Sequence, residues 1–148
     1  MTDDLHALAA AVVASPHWRW MPGMLAAGPA GPKGGRKRAR VESRFADDIT
    51  PKCVDFNGRR VPASYACMCE ANEVVPDLSD PATLGCLLAL VREAWGDPSA
   101  CVSTMLYSQR WRCHVHDPGP SRTPRWFDAD SEPAALVSAL LAAPPPAR

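Results

Sequence analysis

The sequence predicts an α+β domain, with a mainly antiparallel sheet and about three helices packed on it. Three observations carry this expectation. Apolar residues recur at helical spacing near the start, in the middle and at the end of the chain. Short runs of alternating apolar and polar residues fill the intervals between them. Sixteen prolines and nine glycines punctuate those runs, which favours many short elements over a long helical bundle. With 148 residues, the chain is expected to fold as one domain over 1–143, with 144–148 as a frayed tail.

TDDLHALAAAVVASP reads as the first helix. Thr2 is placed to cap it, and Asp3 and Asp4 suit its first turn. Leu5, Leu8, Val12 and Val13 form its apolar stripe, and Pro16 ends it. HWRWMPGML then alternates as a strand would, with Trp18 and Trp20 on one face. Those two rings are a candidate aromatic platform, set against the plainer reading that they pack in the core.

GPAGPKGGRKRAR follows. It offers no apolar anchor larger than alanine, so the stretch at about 26–40 reads as a flexible basic loop or a wide hairpin tip. VESRF, KCVDF and RRVPASYACMC are short strand candidates. Asn57-Gly58 between the last two is the strongest hairpin signal in the chain and predicts that they pair antiparallel. SDPATLGCLLALVREAWGDP is the clearest helix. Asp80 suits its N-cap, Pro81 its first position and Gly96 its stop. Leu84, Leu87, Leu88, Val91 and Trp95 form its stripe, wide enough for a helix buried against a sheet. ACVSTMLY and RWRCHVH read as a hairpin turning near Ser108-Gln109. PRWF is a further strand, and SEPAALVSALLAAP is a closing helix capped by Asp130 or Ser131.

Charge is balanced overall, 16 basic against 16 acidic residues, but it is unevenly spread. Lys33, Arg36, Lys37, Arg38, Arg40 and Arg44 face a single acid, Glu42, within 33–44. A neutral chain with one basic segment would grip any electrostatic partner locally. That segment is a candidate contact for nucleic acid or for a partner protein, because flexible Lys/Arg runs bind phosphate backbones. No aromatic residue is interleaved in it to stack bases, however, so a solvated basic loop is the competing reading. The acidic MTDD start lacks the basic region of a secretory signal, and no apolar run approaches the roughly 20 residues that span a bilayer. Both point to a cytoplasmic protein without membrane contact, in which the six cysteines stay reduced.

In RWRCHVH, strand spacing aligns Arg110, Arg112, His114 and His116 on one face, and Trp111, Cys113 and Val115 on the other. The four cationic residues are a candidate face for a phosphate-bearing ligand. His114 and His116 also offer two metal ligands, without an identifiable third. Cys67 and Cys69 would share a strand face with Cys53 nearby, but C-x₂-C zinc spacing is absent, so no metal or other cofactor is assigned. No P-loop, G-x-S-x-G or H-E-x-x-H occurs, and no catalytic residue is assigned.

PHWRWMPGM, DPATLGCLLALVREAWGDP and EPAALVSALLAAP together resemble small proteins encoded by phages and prophages of GC-rich bacteria, a family of unknown function. The resemblance covers a quarter to a third of the chain, most of it in the central segment, and excludes the basic stretch. It implies expression inside a bacterial host cell and an accessory role. The expectation that follows is a non-enzymatic binding protein that inhibits or redirects a host protein, such as a defence component. A nucleic-acid-binding module using 33–44 is the alternative. A small metal- or nucleotide-binding protein is the second alternative.

Overall fold

A computed structural model describes residues 2–43, 51–55 and 57–146. The fold is α+β, with all strand pairs antiparallel among the described residues. The strands divide between a five-stranded and a three-stranded sheet. The chain divides into two compact units, Arg19–Thr83 and Met1–Trp18 with Leu84–Arg148.

In the Arg19–Thr83 unit, β1 (Leu25–Ala30) and β2 (Arg36–Ser43) pair with Leu25 opposite Arg40 and Ala27 opposite Arg38. The segment expected as a loop at 26–40 is thus strand on both flanks. Its turn is confined to Gly31–Gly35, closed by Gly31 N–H donating to the Gly35 carbonyl at 3.0 Å. The missing apolar anchors have a packing reason. A Cβ on Gly28 would stand 3.2 Å from Cys67 Cβ and 3.2 Å from Cys69 Sγ, so β1 is kept small for a neighbouring helix to approach it.

β3 (Lys52–Val54) and β4 (Arg60–Pro62) form the hairpin that Asn57-Gly58 predicts. Gly58 sits at φ +74°, and Asp55 Oδ1 accepts the backbone N–H groups of Asn57 and Arg59 at 2.8 and 2.9 Å. With Val54 opposite Arg60, the sheet continues as β4-β3-β2-β1-β5, where β5 is Val75–Pro76.

Two strand expectations fail in this unit. RRVPASYACMC leaves the sheet at Pro62, which lacks the N–H a ladder needs, and Ala63–Cys67 turns into a short helix, α2. Cys67 and Cys69 therefore do not share a strand face. HWRWMPGML forms no strand either, because Pro22 and Gly23, at φ +95°, turn the backbone before β1.

In the other unit, α1 (Thr2–Val13) buries Ala9 and Val12. The side chain of Thr2, expected as the cap, lies outside the described residues. Helix α3 (Pro81–Trp95) begins at the boundary of the two units, and Asp80 Oδ2 accepts the Thr83 N–H at 2.9 Å as its N-cap. Leu87, Leu90, Val91 and Trp95 are its buried apolar residues, and Gly96 stops it at φ +60°. β6 (Cys101–Thr104), β7 (Trp111–His116) and β8 (Pro124–Ala129) form the three-stranded sheet. α4 (Glu132–Leu141) packs on all three strands, and its Ser131 cap accepts the Ala134 N–H. Cys113 and Val115 of β7 and Leu136 and Leu140 of α4 are fully buried. Trp95 Nε1 donates to the Ala139 carbonyl at 2.9 Å, which ties α3 to α4. Among the described residues no helix is long and apolar enough to cross a membrane.

Candidate functional site

The described basic residues of 33–44 do not share one face. Strand alternation sends Lys37 and Arg38 to opposite faces of β2. Arg38 Nε lies 2.7 Å from Asp77 Oδ2. Arg40 makes a two-pronged pair with Asp80 at 2.7 and 3.0 Å and also donates to the Gly23 carbonyl. This guanidinium lowers the Asp80 carboxyl to about 2. Lys37 Nζ lies against Met68 Sδ, and Lys33 is exposed in the turn. Arg44 lies outside the described residues.

An open groove of about 1000 Å³ lies between β2 and α2. Its lining includes the basic residues Lys37, Arg38 and Arg40 and the acidic residues Asp55, Glu70 and Glu73. That mixture lacks the single sign of charge a phosphate backbone attracts. Tyr65 and Met68, both largely exposed, also line it.

The second candidate face lies on the three-stranded sheet. Its register places Arg112 opposite Asp128, His114 opposite Trp126 and Cys101 opposite His114. The structure thus brings together Arg112, His114 and His116, as strand spacing requires. Arg110 precedes the strand and pairs with Asp130 at 3.1 Å. Arg112 grips Asp128 through Nε and a terminal nitrogen at 2.6 and 2.8 Å. The His114 and Trp126 rings stack at 5.9 Å and 20°, and the His116 ring meets His114 edge-on at 4.6 Å. The Arg112 guanidinium lies 6.0 Å from the Trp126 ring centroid.

At the end of this row stands Asp97, a buried carboxylate. It accepts from the Ser99 hydroxyl at 2.5 Å, from the His116 backbone N–H at 2.8 Å, from Arg122 at 3.1 Å, and meets His116 Nδ1 at 2.9 Å. Burial alone would raise its carboxyl. The hydrogen bonds from Ser99 and His116 outweigh burial and hold it well below the usual carboxylate range. Trp126 and Asp97 are the residues that sequence reasoning missed. The strand assignment of PRWF was the signal for Trp126, since alternation there puts Trp126 and Phe127 on opposite faces. Asp97 gave only a local turn signal, and nothing in GDPS announces a partner 19 residues away.

A third feature is the β6–β7 turn. Met105 N–H donates to the Arg110 carbonyl at 2.8 Å and closes it, with Gln109 at φ +52°. Leu106 and Tyr107 stand on its tip, 93% and 101% exposed.

The Trp18 and Trp20 pair is not a strand-borne platform. Trp18 is half-buried on irregular backbone, and Trp20 is only 8% exposed, out of reach of a ligand. All six cysteines are free thiols. Burial raises Cys53 to about 11 and Cys113 to about 12, and Cys67 is raised for the same first cause. Thiols held this high are poor nucleophiles. Among the described residues no group of three or more His, Cys, Asp or Glu side chains is placed to hold a metal ion. Compared with protein-family models, with curated proteins and with solved structures, the chain finds no match.

Proposed function

We propose that this is a non-enzymatic binding protein that docks on a partner protein and occludes its surface. One observation carries the reading: the near-complete exposure of Leu106 and Tyr107 on a closed hairpin tip. Neither side chain contributes to the chain's own core. Both are presented by a turn whose ends are pinned between paired strands, so little order has to be acquired on docking. A tyrosine and a leucine offered in this way suit an apolar pocket, and a tyrosine so placed belongs to the residue types enriched in binding hot spots. The resemblance to phage and prophage proteins supplies the context, a host protein as the target. The ion pairs of Arg38 with Asp77 and of Arg40 with Asp80 speak against the alternative in which residues 33–44 carry nucleic acid.

The test is affinity capture from nuclease-treated bacterial lysate, comparing the natural chain with a Leu106→Ser/Tyr107→Ser variant. A hot-spot side chain costs about 2 kcal/mol or more of binding when truncated. A partner held by the natural chain should therefore be lost by the variant, while thermal stability stays unchanged. A partner retained equally by both would overturn the role of the tip, and capture of nothing by either would overturn the reading itself.

A further inference from the structure

The open face of the β6–β7–β8 sheet has a chemistry of its own. α4 packs on the sheet, and Cys113 and Val115, which alternate to one side of β7, are fully buried. The other side carries Arg112, His114 and His116 beside Trp126 and Asp128 of β8. We propose that this side is a stacking platform for single-stranded nucleic acid, with Trp126 and His114 as the base-stacking rings and Arg112 and Arg122 as phosphate donors.

Four flat groups lie in one row: the Arg112 guanidinium, the Trp126 indole and the imidazoles of His114 and His116. Cross-strand stacking explains why His114 meets Trp126. It leaves 56% of Trp126 in water, so part of the indole stays open to a further planar group. Bases stack on such faces with little sequence preference, because every base has a π-face.

The acids nearest the rings are already engaged. Asp97 is buried beneath His116 and Arg122, and Asp128 is already held by two nitrogens of Arg112. Each guanidinium has five N–H groups. Arg122, its side chain 59% exposed, spends one nitrogen on Asp97 and keeps others for a phosphate. The polymer is favoured over a free nucleotide because this is an open face. A small ligand needs a concave site that buries most of its surface, whereas a strand spreads its contacts.

The matched arginines also define how such binding would differ from binding by a basic arm. Arg110, Arg112, Arg122 and Arg125 each have an aspartate partner. Little counterion release is then available, so stacking carries the affinity and salt weakens it only slightly.

The experiment is fluorescence anisotropy of labelled single-stranded 12-mers of DNA and of RNA against the full chain. Trp126→Ala should weaken binding by about tenfold or more, and Trp126→Phe should restore most of it, since a phenyl ring still stacks. Replacing Lys33, Arg36 and Lys37 with glutamine should change nothing. The proposal is overturned if neither strand binds, if Trp126→Ala binds as well as the natural chain, or if Trp126→Phe binds no better than Trp126→Ala. It is equally overturned if a duplex binds as well as a single strand, or if a mononucleotide competes as effectively as the 12-mer. A steep salt dependence abolished by the glutamine variant would return the contact to 33–44.

Discussion

The Asp97 carboxylate lies 2.9 Å from His116 Nδ1 and also accepts the His116 backbone N–H. One buried acid therefore fixes both the ring and the backbone at the end of β7. It also closes the turn after α3 through the Ser99 N–H and hydroxyl. An amide has one accepting oxygen in place of two, so Asp97→Asn sets an N–H donor against the donors of Ser99, His116 or Arg122 around a buried side chain. The variant should lose about 2–3 kcal/mol of stability, read from urea unfolding. Loss below about 1 kcal/mol would show that water replaces the carboxylate.

The acid limb of stability should show the same residue together with Asp80. Both carboxyls are held lower in the folded chain than in the unfolded one, so on acidification the unfolded state takes up protons first. Their contribution is complete above about pH 4, the ordinary carboxyl value. For Asp80 it is lost as pH falls toward about 2, and for Asp97 it persists further down. Thermal melts from pH 6 to pH 2 should show Arg40→Gln flattening the part between pH 4 and 2. An unchanged profile would mean that the Arg40–Asp80 pair contributes nothing to stability.

Gly28 is a test of the β1–α2 contact. A Cβ there meets Cys67 Cβ and Cys69 Sγ at 3.2 Å and the Cys67 carbonyl at 3.3 Å. Two of these three atoms are a helix backbone oxygen and a buried Cβ, neither of which swings aside. Gly28→Val should cost about 2 kcal/mol or more by overpacking, despite the higher strand propensity of valine. A stabilised variant would show that α2 moves away at little cost.

Trp95 joins two helices through one hydrogen bond. Trp95→Phe removes the donor to the Ala139 carbonyl and part of the ring that packs 5.8 Å from Phe127. The expected loss is about 1–3 kcal/mol in chemical denaturation, the sum of an unmet buried acceptor and a small cavity. No measurable loss would mean that another donor takes over the carbonyl.

Thiol chemistry should separate the cysteines by burial. Cys101 is exposed on β6, whereas Cys53, Cys67 and Cys113 are buried with raised thiols. A maleimide at neutral pH should label Cys101 within minutes and spare those three until denaturant is added. Mass spectrometry of the digest reads the order directly, and early labelling of Cys113 would contradict the packing of α4 on the sheet.

Local signals were legible wherever they competed with nothing. Asp80, Pro81 and Gly96 marked the ends of α3, and Asn57-Gly58 marked its hairpin, because capping and turn chemistry act within a few residues. The errors fell where tertiary packing overrode composition. Residues 26–30 and 36–40 looked unable to order themselves, yet the small side chains of 26–30 let α2 lie on β1, and 36–40 pairs with that strand. The tryptophans nearest the start alternated like a strand, but a proline and a left-handed glycine broke the run.

By itself the sequence determined the α+β class, the limits of α3 and α4, the β3–β4 and β6–β7 pairings and the row Arg112–His114–His116. All of these follow from periodicities and caps that a short segment carries within itself. Only the tertiary structure decided what each charge is for. Arg38 and Arg40 are spent on Asp77 and Asp80, Arg112 on Asp128, and His116 on Asp97. Those partners lie between 16 and 40 residues apart. An ion pair is made by proximity in space, and no spacing along the chain encodes which aspartate a given arginine will meet.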